Sequence, residues 1–364
     1  MAIRQFNGQL NQNAVLGALF NMIISQEVFS KNIVLKGTLV DKFRTEGTMY
    51  GDTKLYISTD IGTVYDFGDA NSGNLLSKKP PLAPKTQAIS IDTFKQTGVT
   101  VDGVKLKQAF MSADIYGSFV GVIVQWLRDA MKVLNVTLIN TYVGTVETNA
   151  SRAKVEVALP PVPTANIGER QAYENYMGQI VGKYIADVCV DLEDPNRAFN
   201  DYGFLRSYSL DDFIIVWNSK WANRIKHVSL PMIFNKDGVI GKEIESNTLN
   251  SRYFGTIYTD AGTSKVGDRT MVDMVIAGKQ YFSGDELPVG TAYKANEAYV
   301  VNNNIICKIV HKKAIPFMSA LMVQTEFYNA KDLDRNHYLT WGYSKPQYLA
   351  EFPIINFVSV KEEV

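Results

Sequence analysis

The chain has 364 residues, enough for two domains or for one domain with long excursions, and ample for a sizeable core. Hydrophobic residues make up 46% and charged residues 20%, which excludes wholesale disorder. Lys plus Arg and Asp plus Glu number 37 each, so the net charge is zero; the basic excess of a dedicated nucleic-acid binder is absent, and little charge keeps copies apart.

Residues 1–42 mix amides with a short amphipathic segment and then an alternating run from Ile33 to Val40. This reads as an arm, too short to bury a core by itself. The apolar patch from Ala14 to Ile24 is broken by Asn21 and lacks a small-x-small cleavage site, so no signal peptide is expected. From Phe43 to Lys95 the character changes. Thr53 to Ile57 and Val64 to Phe67 look like strands between glycine and aspartate turns. A loose segment, Asn71 to Ser77, and a proline cluster, Lys78 to Lys85, precede the return Ala88-Ile89-Ser90-Ile91. A long two-stranded excursion with so few bulky apolar residues is marginal in water, so it must lie on its own molecule or on a neighbour. Lys78-x-x-Pro81-x-x-Pro84 also fits a proline-rich ligand pattern, although prolines at a strand margin account for it more simply.

Val99 to Asp102 alternates and leads through Leu106 into a long helical pattern from Asp114 to Val143. Its apolar residues, among them Phe119, Val122, Trp126, Leu127, Leu134 and Leu138, step by three and four onto one broad face. Such a helix runs about 45 Å. Gly117 and Gly121 lie inside it, each costing about 1 kcal/mol against alanine, and close approach of another backbone is the expected return.

Glu147 to Gly168 holds Leu159-Pro160-Pro161-Val162-Pro163, read as a semi-rigid connector and the clearest boundary. A second helix follows from Glu169 to Leu192, with Pro195 just beyond it. Phe213 to Trp217 reads as a buried strand, and Ser219 as the cap of a helix from Lys220 to Lys226, with Pro231 ending the region. The last third is mostly strands: Met271 to Ile276, Ile305 to Val310, Pro316 to Phe327, Tyr338 to Gly342 and Ile354 to Val360. There is no internal repeat. The order of elements is that of an α+β fold.

Chemical motifs fail one by one. Gly178-x-x-x-Gly182-Lys183 is one residue short of a phosphate loop and is followed by Tyr184, so helix packing explains it. His227, His311 and His337 are far apart in sequence and read as a helix end, a strand end and a loop, with no metal-ligand spacing. Asp332 to Asn336 begins like a calcium loop, but His337 and Tyr343 stand where glycine and glutamate are needed, which leaves an aspartate-capped turn. Asp211-Asp212 and Glu193-Asp194 belong at turns or helix ends. Cys189 and Cys307 sit in apolar patterns, as buried free thiols of a reducing compartment would. Sequons at Asn135 and Asn149 lack secretory context. The longest uncharged runs are too short to span a bilayer, so a soluble, cytoplasmic chain with no membrane partner is expected.

This succession of elements resembles a tailed-bacteriophage major capsid protein of the HK97-like fold, over nearly the whole length and without a signature motif. Residues 1–42 look like the family's N-terminal arm, and 43–95 like its extended β-hairpin, the E-loop. Ile89 to Asp102 looks like the strand entering the peripheral domain, and the helix from Asp114 like the spine helix, within a segment 96–150. Residues 151–298 look like the axial domain, with Asp212 to Lys226 matching its strand-then-helix. Residues 299–364 look like the return strands of the peripheral domain and the C-terminal strand.

The resemblance implies a structural subunit, not an enzyme, that self-assembles as hexamers and pentamers into an icosahedral shell. That shell encloses phage double-stranded DNA, contacted non-specifically. A portal protein, a decoration protein where one is used, and a separate scaffolding protein (no charged helical extension precedes the arm) are the further partners implied. Assembly would occur in the host cytoplasm and the product would be the virion capsid. No catalytic, cofactor-binding or metal residue is implied. Some relatives cross-link a loop lysine to a neighbour's asparagine; Lys54, Lys78, Lys79 and Asn302 to Asn304 are of the right type only. Two other readings stand beside this one. The first is a cellular nanocompartment shell of the same fold; the second is a cytosolic α+β enzyme whose site is assembled from scattered residues.

Overall fold

A computed structural model describes residues 39–45, 53–62, 80, 82–102, 113–160, 167–228, 244–257, 262–263, 274–276, 279–281, 292–293 and 298–361. The chain divides into two compact units, one of Met1–Asp52, Ser90–Thr137 and Met318–Lys345, the other of Thr53–Ile89, Leu138–Phe317 and Pro346–Val364.

The described chain opens with a single helical turn, α1 (Leu39–Phe43), and a short strand, β1 (Arg44–Thr45). The alternation expected through Val40 therefore ends in helix. Leu39, Val40 and Phe43 are the buried positions, a spacing that suits one face of a helical turn and not a strand. Strand β2 (Thr53–Ser58) lies where the first strand of the excursion is expected, while Val64 to Phe67 falls outside the described residues. Strand β3 (Lys85–Asp102) fuses the return and the Val99 run into one strand of 18 residues.

Helix α2 (Ala113–Thr145) has 33 residues and covers the expected long helix. Strand β4 (Lys154–Leu159) occupies what the sequence suggested was only connector. Its Lys-Val-Glu-Val-Ala-Leu alternation is a strand pattern, masked by the prolines that follow. Helix α3 (Ile167–Glu193), strand β5 (Phe213–Asn218) and helix α4 (Ser219–Val228) fall where expected. The cap differs. Lys220 N donates to Asn218 Oδ1 at 3.1 Å, whereas Ser219 Oγ accepts from Ser251 N, so Asn218 caps α4. Strands β6 (Glu245–Leu249), β7 (Gly255–Ile257), β8 (Gly262–Thr263), β9 (Met274–Ile276), β10 (Lys279–Tyr281), β11 (Ala292–Tyr293) and β12 (Ala298–Val301) follow. The long closing strands are β13 (Ile305–His311), β14 (Phe317–Asn329), β15 (Asp334–Ser344) and β16 (Ile354–Lys361).

One sheet has the order β1-β14-β15-β3-β2. Its centre is antiparallel: β15 pairs with β3 from Asp334↔Asp102 to Ser344↔Ile91 and with β14 from Asn329↔Asp334 to Ser319↔Tyr343. Glycines face aromatic rings across the ladder. Gly98 is opposite Tyr338 and Gly342 opposite Phe94; a Cβ at Gly98 would meet the Tyr338 ring at 2.5 Å and one at Gly342 the Phe94 ring at 2.9 Å. His337 lies within β15, not in the expected loop, because the hairpin strand extends to Asp334. The hairpin turn itself carries Leu333 at φ +56, a left-handed conformation that costs a non-glycine residue about 1–2 kcal/mol. Asn329 Nδ2 donates to Asp332 Oδ2 across that turn.

The second unit is built on a mixed sheet of order β4-β16-β13-β5-β6, parallel at both margins and antiparallel in the middle. Every residue of β5 and β13 is buried. Along one face Phe213, Ile215, Trp217, Ile309, Ile355 and Phe357 pack against Met177, Val181, Ile185 and Val188 of α3 and Ile225 of α4. At about 25 cal/mol per Å² of apolar surface removed from water, this contact favours folding of the unit. On the opposite face Lys308 reaches the end of α2, where its Nζ donates to Val146 O at 2.9 Å. Gly144, in the last turn of α2, makes the close approach expected of Gly121. A Cβ there would collide with Tyr253 O, while one at Gly121 would meet nothing within 4 Å among the described residues. Among the described residues no backbone approaches Gly121, and the side-chain surroundings of Gly117 lie outside the described residues.

Candidate assembly surfaces

The root of the excursion is held by two arginines of the second unit. Beyond β2 the chain turns at Asp60, whose Oδ2 accepts from Arg197 Nη1 and whose Oδ1 accepts from Leu205 N at 2.9 Å and Ile61 N at 2.8 Å. The Arg197 hydrogen bond, seconded by the Leu205 amide, holds the Asp60 pKa down at about 2. Arg206 donates to Ser58 Oγ at 3.2 Å, Thr59 O at 2.6 Å and Glu351 Oε1 at 3.1 Å. Sequence spacing gives no hint of these pairings, since 145 residues separate Asp60 from Leu205. Around this fixed root the apolar side chains face solvent: Leu55 is 55% exposed, Ile57 62%, Ile61 57% and Leu82 49%. A subunit that pins the base of an excursion and leaves its apolar residues open presents them to something else.

Helix α2 shows the same division. Leu127, Ile139 and Val143 are buried, but Trp126, Val133 and Leu134 are exposed, so the broad stripe read from sequence is only partly covered. On β14, Met322, Phe327 and Tyr328 are exposed as well.

A cavity of about 410 Å³ in the second unit is lined by Gln87, Tyr142, Tyr202, Gln347, Tyr348 and Ala350. Tyr348 Oη donates to Asp201 Oδ2 at 2.7 Å. Gln87 ties the rim by donating to Tyr348 O at 2.7 Å and accepting from Ala350 N at 3.1 Å. Burial, then the negative charges of Glu351 and Asp201, raises the Tyr202 pKa.

Among the described residues the buried polar groups are spread over several elements. Burial lowers the Lys308 pKa to about 7, against a weaker pull from Glu147. His311 stacks on Phe352 at 4.4 Å between Tyr208 and Phe213, and Lys313 N donates to its Nδ1 at 3.1 Å. Burial lowers its pKa to about 4. His337 is buried in β15 with Glu326 Oε2 at 3.9 Å from its Nδ1, beyond hydrogen-bond reach. The three histidines fall on three different elements, and no group of acids, cysteines and histidines among the described residues could hold a metal ion. Cys189 and Cys307 are free and buried, and burial pushes both thiols up, Cys189 to about 12. Gly178, Gly182 and Lys183 lie mid-helix in α3, as helix packing requires. Lys54 sits over Tyr56 at 5.8 Å, and the Trp221 indole donates to Asn303 O at 2.8 Å; Lys78 and Lys79 lie outside the described residues. No described helix is long and apolar enough to cross a membrane.

The fold is shared with the capsid structure of Staphylococcus phage Andhra at TM-score 0.60 and 12% identity, covering 91% of this chain and 86% of that one. It is also shared with a chain in the structure of head fiber and inner core protein gp22 of native bacteriophage P68, at TM-score 0.58 and 11% identity, covering 90% and 87%. These neighbours have the HK97-like capsid fold in its α+β form. No curated protein sequence matches. The family model described as Phi29-like phage major capsid protein matches residues 3–346. The chain therefore belongs to the Phi29-like phage major capsid proteins, structural subunits that self-assemble into the capsid of the virion.

Proposed function

We propose that the protein closes an icosahedral shell of hexamers and pentamers around phage double-stranded DNA, and that it carries no enzymatic activity. Residues 1–42 serve as the arm, 43–95 as the E-loop, 96–150 and 299–364 as the peripheral domain and 151–298 as the axial domain. A separate scaffolding protein, a portal and, where used, a decoration protein complete the head in the host cytoplasm. Packaged DNA is contacted without sequence preference.

The observation that carries this reading is the excursion, fixed at Asp60 and at Ser58 to Thr59 but apolar and open at Leu55, Ile57, Ile61 and Leu82. Identical neighbours supply the missing cover, and many weak contacts become strong through multiplicity. The test is size. Purified protein expressed with its scaffolding partner should form hollow particles in negative-stain images and sediment accordingly. Deleting residues 63–79 should abolish shells and leave capsomers or aggregate. A deletion variant that stays soluble at unchanged oligomeric size would contradict the shell reading and favour a lid.

A further inference from the structure

Tyr142, Tyr202 and Tyr348 give the cavity of the second unit three aromatic walls, and its volume of about 410 Å³ is that of a small-molecule site. Its frame is tied. Gln87 holds Tyr348 O and Ala350 N, Asp201 N donates to Ala350 O at 2.8 Å, and the Tyr202 ring packs on Phe204 at 5.3 Å. Asp201 stands at the join and accepts from Tyr348 Oη through Oδ2 at 2.7 Å. Among the described residues no hydrogen bond reaches its Oδ1, and no lysine or arginine pairs with it. The nearest cations in sequence, Arg197 and Arg206, are taken by Asp60 and Glu351. Burial raises the pKa of Tyr202 and of Tyr348, the latter to about 12; Glu351 and Asp201 add to the first, and Asp201 to the second.

These surroundings select a ligand by charge and by size. A carboxylate attracts a cation, and so does the face of an aromatic ring, through its quadrupole. A calcium or magnesium ion needs a shell of about six oxygen ligands, whereas rings supply most of this wall. An organic ammonium ion meets both features, because its nitrogen takes the open Asp201 oxygen while its methylene groups lie on the rings. We propose that the cavity binds a small alkylammonium ion, with Asp201 as counter-ion and Tyr142, Tyr202 and Tyr348 as walls. The bound ion braces the start of β3 at Gln87, the end of α2 at Tyr142 and the loop at Tyr348, so it stabilises the folded subunit. The site belongs to a single subunit and stands apart from the shell reading.

Unassembled subunits carrying 3-fluorotyrosine are titrated with 1,5-diaminopentane and followed by fluorine NMR. The Tyr202 resonance, identified by its loss in Tyr202→Phe, should shift to saturation, and the thermal midpoint should rise with the diamine. Pentane-1,5-diol, of the same length without charge, should do neither. Asp201→Asn keeps an acceptor for Tyr348 and should weaken diamine binding at least about tenfold, while Tyr202→Phe keeps the ring face and should stay within about twofold of wild type. A shift that never saturates, one that the diol or sodium chloride reproduces, or equal binding by Asp201→Asn would overturn the proposal. Should Asp201→Asn fold poorly, the comparison of diamine with diol on the wild type decides alone. Displacement of the diamine by a lysine-containing tripeptide assigns the site to a protein side chain, and resistance to it assigns the site to a free amine. Wild-type protein that never forms shells refutes the shell reading and leaves this titration untouched.

Discussion

Lys308 Nζ stands 2.9 Å from Val146 O, a buried lysine whose hydrogen bond goes to a backbone carbonyl just past the carboxyl end of α2. The helix terminus favours positive charge there, but burial disfavours it more, which is why the ammonium titrates near 7. The folded pKa lies below the unfolded value. The penalty is therefore fully present below about pH 7 and is relieved as pH rises toward 10, by about 1 kcal/mol per pH unit. Lys308→Met should raise stability by about 1–3 kcal/mol at pH 6 and by nothing at pH 10. Urea denaturation of unassembled subunits at both pH values reads this, and equal effects at the two would contradict the assignment.

His311 gives the opposite region of the pH axis. Burial lowers its pKa to about 4, below the ordinary value of 6.5, while Asp212 pulls it up and Lys313 and Lys312 push it down. The unfolded chain binds its proton first as pH falls, so stability is lost between about pH 6.5 and 4, on the order of 1 kcal/mol per pH unit. His311→Phe, which keeps the stacking on Phe352, should flatten the acid side of a thermal-midpoint profile relative to wild type.

Asp60→Asn removes the charge that Arg197 and the Leu205 amide hold. The expected outcome is faster cleavage by a nonspecific protease between residues 58 and 62, with the rest of the subunit unaffected. In the wild type the carboxylate's contribution is present above its ordinary value of 3.8 and is lost as pH falls through about 2, so this root should stay closed at pH 4. Early cleavage of wild type at pH 4 would count against the clamp.

Gly144 and Gly121, both in α2, separate fold from interface. Gly144→Ala drives a methyl into the Tyr253 carbonyl and should cost about 3 kcal/mol. Gly121→Ala meets no described atom within 4 Å and should gain about 1 kcal/mol of helix propensity. If Gly121→Ala subunits are more stable yet assemble poorly, a neighbour's backbone uses that position, and particle yield measured beside the denaturation midpoint shows it.

Much of this architecture was legible because its elements are long and periodic. Helix α2, helix α3 and the runs of β5 and β13 repeat one spacing often enough to outweigh local noise. What escaped were features set by distant partners. Strand β4 alternates as a strand should but was hidden by Pro160 and Pro161, and its parallel pairing with β16 brings it out. The cap of α4 moved to Asn218 because Ser219 is occupied by Ser251. The Asp60 to Arg197 pair and the tyrosine cavity join segments more than 50 residues apart, which spacing cannot reveal. Leu333 is the reverse case, a residue whose type argues against the left-handed turn it occupies.

Strand β3 has a mechanical consequence. It emerges from the excursion and lies antiparallel to β15 along most of its length. Tension on the excursion is directed along the strand axis, while the bonds of the ladder lie across it. The rungs therefore share the load in shear instead of parting one after another, and a tug on this flap is resisted by the whole ladder at once.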